Sequence, residues 1–490
     1  MQSNSYSHEM LFIGGEWVRP SSSKILKVHS PSTEEIIGQV PEASIEDIER
    51  AVCSARNAVD ISSWPLLPMV ERAQYVQAIA DGIEKYRREF AVICADESGQ
   101  PVEKNALVQV DVAIRIFRYY AELGKNYSIE EERQGLDGPL ILRREPVGVV
   151  AIIAPWNAPL VITSFSLPAA LIAGCAVLLK PAPESPLHAQ LLAKIVEESG
   201  IPLGVVSVLP AGREGGEALV RHPWVDKVSF TGSTATGRHV GKICGENFKR
   251  FSLELGGKSA AIILEDADLT RVMPGVVSSA LLNSCEACVG QTRILVPRSR
   301  YEEITDLFVA GVSAMKLGDP HDPQSDMGPL IAERQRDRVE GYIKSGLKEG
   351  AKLVLGGGRP KHLSRGWYVE PTVFTDVDNR MRIAREEIFG PVLCMIPYEG
   401  DEEAIRIAND STYGLSGTVW TADQLRGIEI ARRVRTGNYG VNMFNIDIAA
   451  PFGGFKESGL GRQLGAQGLE GFLELKAIHL PPPGGYGVTG

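Results

Sequence analysis

Between about residues 147 and 265 the chain alternates short apolar runs with longer segments in which apolar residues recur at helical spacing. Val147–Ile153, Ala176–Leu179, Val205–Leu209, Lys227–Phe230 and Ala260–Leu264 are the runs, and His188–Ser199 and Thr234–Asn247 are helix-like segments between them. Short apolar strands that alternate with helices predict parallel βαβ units with helices on both faces of the sheet. A second α/β block runs from about 266 to 440, with strands at Arg293–Val296, Val392–Pro397 and Gly417–Trp420 and helices at Tyr301–Met315 and Glu333–Glu349. The first 60 residues read as short strands and turns, exemplified by Leu11–Val18 with its Gly14–Gly15 pair, and residues 69–125 are helix-rich. Ser128–Pro146 is charged and turn-rich, with one short strand at Leu140–Arg143, and the Pro- and Gly-rich tail after Leu480 is expected to be extended.

At 490 residues the chain is too long for one core and implies about three lobes. Its net charge of −10 argues against nucleic acid, which needs a basic footprint, and against an anionic membrane surface. Val147–Leu179 carries no charged residue, but Pro155, Asn157, Pro159, Pro168 and Gly174 interrupt it, whereas a membrane span wants about 20 continuous apolar residues. Met1–Met10 is polar and lacks the features of a signal peptide. Seven cysteines, an odd number in a large chain, do not look like a disulfide framework. A cytoplasmic, reducing location is therefore expected.

Three segments carry candidate chemistry. Phe230-Thr231-Gly232-Ser233-Thr234-Ala235-Thr236-Gly237 follows a strand and opens a helix. Gly232 and Gly237 have P-loop spacing, but Arg238-His239 replaces the Lys-Ser/Thr of a nucleotide triphosphate loop. A helix start with small residues either offers free N–H groups to a phosphate or is a plain tight turn. In Phe251-Ser252-Leu253-Glu254-Leu255-Gly256-Gly257-Lys258, Glu254 is a base if buried, or an edge-strand acid in water. In Asn283-Ser284-Cys285-Glu286-Ala287-Cys288-Val289-Gly290, Cys288 is a nucleophile, half of a Cys-x-x-Cys redox pair, or a small buried hydrophobe. No second Cys pair supports a zinc site, and no metal is expected.

Taken with Pro155-Trp156-Asn157, Lys180-Pro181-Ala182-Pro183, Glu386-Glu387-Ile388-Phe389-Gly390-Pro391 and Pro451-Phe452-Gly453-Gly454-Phe455-Lys456, the sequence resembles the aldehyde dehydrogenase superfamily from Leu11 to about Leu480. The resemblance implies an α/β fold of two Rossmann-like parallel-sheet domains plus a small β oligomerisation arm. Residues 1–127 and 147–256 would bind the cofactor, 257–458 would form the catalytic domain, and 128–146 and 459–490 the arm and C-terminal segment. It implies that Cys288 attacks an aldehyde, that Asn157 and the Cys288 N–H hold the oxyanion, and that Glu254 activates water on the thioester. By the same resemblance Lys180 contacts the adenosine ribose, Gly232, Ser233 and Gly237 form the pyrophosphate turn, Glu387 binds the nicotinamide ribose, Phe389 packs beside the nicotinamide, and Trp156 belongs to the cofactor site. The arm would pair with a second copy, giving a homodimer or homotetramer.

The chain departs from the family pattern where Gly-Gln usually precedes the nucleophile and here reads Cys285-Glu286. Glu286 is expected to face water, since an ionised carboxylate beside Cys288 would oppose the thiolate. The Cys-x-x-Cys spacing would also allow a reversible Cys285–Cys288 disulfide. Pro183 stands where NAD-using relatives often place an acid, and Glu184 follows one residue later. NAD is expected, with NADP as the alternative, because an acid on the ribose hydroxyls repels a 2′-phosphate. Gln463 replaces a common Glu and is expected to be structural. Ala158 after Asn157 widens the tunnel, with Phe165, Met443 and Phe444 as apolar lining, which points to a medium or bulky apolar aldehyde. Rival readings are an enzyme that passes the acyl group to coenzyme A, an acyl phosphate reductase, or a silent binding protein. Glu254 argues against the first, the motif set against the second, and joint retention of Asn157, Glu254, Cys288, Lys180 and Glu387 against the third.

Overall fold

The structure is a computed structural model, and residues 6–481 are described. Two large sheets divide the chain. In the first, the strands lie in the order Gly459–Leu460, Arg250–Glu254, Lys227–Thr231, Val149–Ile153, Ala176–Lys180, Val206–Val208, Leu11–Ile13 and Glu16–Val18. The five from Arg250–Glu254 to Val206–Val208 are parallel, and Gly459–Leu460 and Leu11–Ile13, next to them on either side, run antiparallel to them. Strand order reverses between Val149–Ile153 and Lys227–Thr231, so the crevice beyond their carboxyl ends is where such a sheet takes a ligand. Asn157, Gly232 and Glu254 all lie at that end.

The second sheet has the order Lys352–Leu355, Thr372–Thr375, Val392–Tyr398, Arg293–Pro297, Ala260–Ile263, Gly417–Trp420 and Gly440–Val441. Its inner strands are buried on both faces. Ala260 and Ile262 pack into one apolar core, and Ala261 and Ile263 into another on the opposite face. This is why the run Ala260–Leu264 shows no polar alternation. A third sheet joins Glu130–Gln134, Pro139–Pro146 and Leu473–His479.

Most expected elements are present within a few residues, the helices at Leu187–Glu198, Thr234–Glu246, Tyr301–Ser313 and Glu333–Lys348 among them. The arm strand read as Leu140–Arg143 is longer, Pro139–Pro146, because Leu473–His479 pairs along its whole length. Gly459–Leu460 was assigned with the arm but pairs with Leu253 and Glu254 in the first sheet. Only a partner more than two hundred residues away makes those two residues a strand. The tail after Pro481 lies outside the described residues.

The second sheet is tied to its surroundings by one fully buried arginine. Arg293 donates to the carbonyls of Lys258, Ile407 and Ala408 and to Asn379 Oδ1, at 2.8–3.0 Å. Arg293→Met would leave these buried acceptors without a donor, at about 1–3 kcal/mol each. We expect a loss of about 3 kcal/mol or more, seen as a lower urea or thermal midpoint. An unchanged midpoint would contradict this account of the carbonyls.

Candidate active site

The helix Leu269–Ala280 ends in a short 3-10 turn, Leu282–Cys285, and the chain then reverses into the Cys288 loop. Asn283, Ser284 and Cys285 are all left-handed, with φ of 52°, 53° and 61°. Side chains other than glycine are strained there, so the turn needs fixing from outside. Asn283 Nδ2 donates to the carbonyls of Asn157 (2.8 Å) and Glu286 (3.1 Å). Ser284 Oγ bonds both the carbonyl and the N–H of Gly328. Cys285 Sγ donates to Ala280 O at 3.0 Å from within the catalytic core. A cysteine thus stands in the left-handed position where glycine is usual, anchored by its thiol. All seven cysteines are free thiols, and Cys285 is buried in its own cluster, so the Cys285–Cys288 disulfide is not formed.

Glu286 does not face water. It is buried, and its Oε1 accepts the Ile331 N–H at 3.1 Å. Burial raises its carboxyl well above the usual range, opposed by the Ile331 N–H and by the charge of Arg334. The sequence reading failed because the partner, Ile331, is 45 residues away.

Asn157 is buried and donates its side-chain amide to Glu286 O at 2.8 Å. Its own carbonyl is gripped by Gln100 Nε2 (2.7 Å) and by Asn283. The amide is therefore held against the nucleophile loop. Neither Gln100 nor Asn283 had a role in the sequence reading. The only local signal is that an asparagine tolerates a left-handed turn. The backbone N–H groups of Val289 and Cys288 favour the Cys288 thiolate, but burial and then the carboxylates of Glu387 and Glu254 push the thiol up to about 12.

Glu254 ends the strand Arg250–Glu254, is 3% exposed, and neither carboxylate oxygen has a hydrogen-bond partner. Burial raises it well above the carboxylate range, opposed by the charge of Arg462. The alternative of an acid in water is excluded, and an unpaired carboxyl is free to take a proton. Gly453 closes over it, where a Cβ would stand 2.7 Å from Oε1.

The remaining candidates gather at the same end of the first sheet. Ser233 caps the helix Thr234–Glu246, accepting Thr236 N–H at 3.3 Å, and no acid occupies the helix's first turn. Gly232 N–H is already used by Glu254 O at 3.0 Å, and a Cβ on Gly232 would meet the Phe230 ring at 2.6 Å. Gly237, expected to touch the pyrophosphate, is buried against Leu255, so what it permits is close helix–strand packing. Lys180 Nζ is buried, bonds the Pro181 carbonyl at 3.1 Å, and is drawn down to about 8 by burial, against the opposing charges of Glu184 and Glu42. Glu184 is ion-paired with Arg334 at 2.5 Å. Glu387 Oε1 accepts the Gly257 N–H at 3.0 Å, and a Cβ at Gly256 would collide with its carboxylate. Its surroundings push it to about 7. Phe389, at φ 62°, meets the Trp156 ring edge-on at 5.3 Å. Gln335 Nε2 donates to Phe389 O at 2.5 Å and Arg338 Nη2 to Glu387 O at 2.6 Å, two further contacts missed in the sequence. A helix start free of acids, glycine approaches, a buried ammonium and a carboxylate at the far end fit an extended dinucleotide.

On the other side of Cys288 lies a cavity of about 910 Å³ that also reaches Asn157, Ala158, Phe165, Phe444 and Phe452. Met443, expected in this lining, is 52% exposed and does not contribute. The only charged residues of the lining, Lys104 and Asp326, are ion-paired with each other at 2.5 Å. Glu254 does not line this cavity but stands near enough for its charge to act on the Cys288 thiol. Gln463, as expected, is structural: it is buried and donates to Ser166 Oγ at 2.9 Å. Among the described residues no helix is long and apolar enough to cross a membrane.

Two α/β sheets that meet around a thiol, an amide donor and an unpaired carboxyl define an oxidoreductase of the aldehyde-oxidising class. Residues 17–478 match the model of the aldehyde dehydrogenase family, and the chain belongs to that family. It is 45% identical over 474 residues to geranial dehydrogenase of Castellaniella defragrans, covering 96% of this chain and 99% of that one. An aldehyde dehydrogenase of Mycobacterium tuberculosis, solved with NAD+, superposes with a TM-score of 0.95 at 47% identity, covering 99% and 100% of the two chains. A mutant aldehyde dehydrogenase C of Pseudomonas syringae, solved with NAD+ and octanal, gives 0.93 at 38% identity, covering 98% and 97%.

The Glu254 environment yields a prediction of opposite signs for stability and turnover. A carboxyl whose folded pKa is raised binds its proton more tightly when folded, so stability is lost as pH climbs from the unfolded value toward the folded one. Glu254→Gln removes this loss. At pH 8 we expect the variant to unfold later than the wild type, by on the order of 1–3 kcal/mol, with the gap closing below pH 4. A variant less stable at pH 8 would contradict the unpaired carboxyl.

Proposed function

We propose that the chain oxidises medium or bulky apolar aldehydes to carboxylic acids with NAD, through a thioester on Cys288 that water activated by Glu254 hydrolyses. The observation that carries this reading is that Cys288 and Asn157 share one apolar cavity while Glu254, unpaired, stands beside the thiol. The Cys288 sulfur attacks the carbonyl carbon, giving up its proton to a nearby base. The oxygen that becomes negative accepts hydrogen bonds from the Asn157 amide and the Cys288 N–H. NAD, when bound, supplies the acceptor for the hydride whose loss turns the thiohemiacetal into a thioester. Lys180 would hold the adenosine ribose, Gly232 and Ser233 the pyrophosphate, and Glu387 the nicotinamide ribose, with Trp156 and Phe389 beside the ring. Glu254 then takes a proton from water, the hydroxide forms the new C–O bond, the C–S bond breaks, and the acid leaves.

The cavity's lack of an unpaired cation argues against a dicarboxylic semialdehyde, and geranial, in one relative's name, and octanal, in complex with another, are apolar aldehydes. A retained base argues against transfer to coenzyme A. NAD over NADP is supported by Glu184, whose carboxylate acts on Lys180. We further infer a cytoplasmic homodimer or homotetramer, since the sheet of Glu130–Gln134, Pro139–Pro146 and Leu473–His479 has open edges that a second copy can extend.

The test is steady-state and rapid-mixing kinetics on a panel of aldehydes with NAD and with NADP. Higher kcat/KM is expected for benzaldehyde-sized apolar substrates than for succinic semialdehyde, and for NAD than for NADP. Glu254→Gln should keep a single burst of reduced cofactor while turnover falls about 10²–10⁴-fold, and Cys288→Ala should show neither. A Glu254→Gln enzyme that turns over normally would refute the assigned base.

A further inference from the structure

The support of Asn157 extends beyond the two amides that grip its carbonyl. The helix Arg87–Ser98 ends at Gly99, whose φ of 73° turns the chain, and Gln100 follows as the first of those amides. The backbone then makes one wide turn, Val102–Ala106, before the helix Leu107–Asn126 begins. Ala106 N–H reaches back to Pro101 O at 3.0 Å, and Leu107 N–H to Val102 O, each spanning one residue more than an α-helical bond. Turns of this π type are rare and recur at functional sites. This one carries Asn105, which meets the nucleophile loop: its Nδ2 donates to Asn283 Oδ1 at 2.8 Å. Gln109, one helical turn further on, donates Nε2 to Asn105 Oδ1, also at 2.8 Å.

These bonds run in one direction. Gln109 donates to Asn105, Asn105 to Asn283, and Asn283 to the carbonyls of Asn157 and Glu286. Each amide accepts on its oxygen and donates through its nitrogen, so each bond polarises the next. Both protons and the oxygen of the Asn283 amide are engaged, which fixes its plane. The Glu286 carbonyl at the end of the chain is also the acceptor of the Asn157 side-chain amide. Asn283 therefore acts on Asn157 twice, at its carbonyl and through the acceptor that the two side chains share. Asn105 and Gln109 are half-buried at the cavity wall, where an amide can bond to water, yet both donate inward.

We propose that Asn105 is a positioning residue for the aldehyde oxidation: by fixing Asn283 it holds the Asn157 side-chain amide where the oxyanion forms, and Gln109 orients Asn105 in turn. This role rests on the Asn157 amide as the oxyanion donor, as proposed above, and adds what keeps that donor in place. Losing an oxyanion donor outright slows a reaction by about 10²–10³-fold. A donor that is displaced but still present should cost less, on the order of tenfold.

The experiment is single-turnover hydride transfer with the full chain at saturating NAD and aldehyde. It compares the wild type with Asn105→Leu, Gln109→Met, Asn157→Ala and the double variant Asn105→Leu/Asn157→Ala. Asn105→Leu should slow the step about tenfold, to the same extent for butanal and octanal, and Gln109→Met should slow it less. In the Asn157→Ala background the Asn105→Leu change should cost no more than about twofold, because residues that act through one group are not additive. Alkylation of Cys288 by iodoacetamide forms no oxyanion, so its rate in Asn105→Leu should match the wild type. An unchanged hydride step in Asn105→Leu, additive losses in the double variant, or alkylation slowed as much as hydride transfer would each overturn the positioning role. If Asn157→Ala itself transferred hydride at the wild-type rate, the assignment of the oxyanion donor would fail instead, and the role of Asn105 with it.

Discussion

Two ionisable groups face each other's charge with no opposite charge bonded to either: the Glu254 carboxyl, buried in dry protein, and the Cys288 thiol, half-buried in the cavity wall. Much of the surrounding structure answers to that constraint. Removing a carboxyl from water without a partner is unfavourable, and the protein sustains it by packing on every side: the strand Arg250–Glu254 within the first sheet, Gly453 over the oxygens, and Gly459–Leu460 along the strand edge. A partner such as lysine would stabilise the fold and at the same time occupy the lone pairs that must accept a proton. Glu387, pushed by burial to about 7, repeats the pattern, although there Gly257 N–H provides one bond.

The nucleophile loop shows the complementary strategy. Three successive left-handed residues would open if left alone, and each is held by a bond to a different part of the chain: Asn283 to Asn157, Ser284 to Gly328, Cys285 to Ala280. Glu286 adds a fourth through Ile331. Because Asn283 and Asn157 share the Glu286 carbonyl as an acceptor, the Asn157 amide and the loop that carries the Cys288 sulfur are tied to one another. This coupling sets the geometry of the reaction chamber more directly than either sheet does, since the sheets deliver only the starting points of the loops.

The substrate side is built differently. There the polar lining is Asn157, a few other amides, Thr270, Ser278 and the Lys104–Asp326 ion pair, and the remainder is mostly apolar. Ala158 leaves room next to the reacting carbon, Phe165 and Phe452 meet edge-on at 5.3 Å to form a wall, and the space continues outward between helices.

Local pattern determined a great deal by itself. Apolar runs without alternation identified the buried parallel strands, and the order of short motifs identified the family and the chemistry, because strand formation, helix capping and residue type are properties of a few neighbouring positions. Tertiary structure alone decided the rest. Glu286 looked like a solvated acid until Ile331, 45 residues on, arrived as its donor, and Gly237 looked like a phosphate contact until Leu255 filled the space beside it. Gly459–Leu460 became a strand only by pairing with Leu253 and Glu254, and Met443 turned out of a lining that Phe444 entered. Burial, and with it the protonation of a carboxyl or a thiol, depends on what the folded chain places around a group, and no stretch of sequence contains its own surroundings.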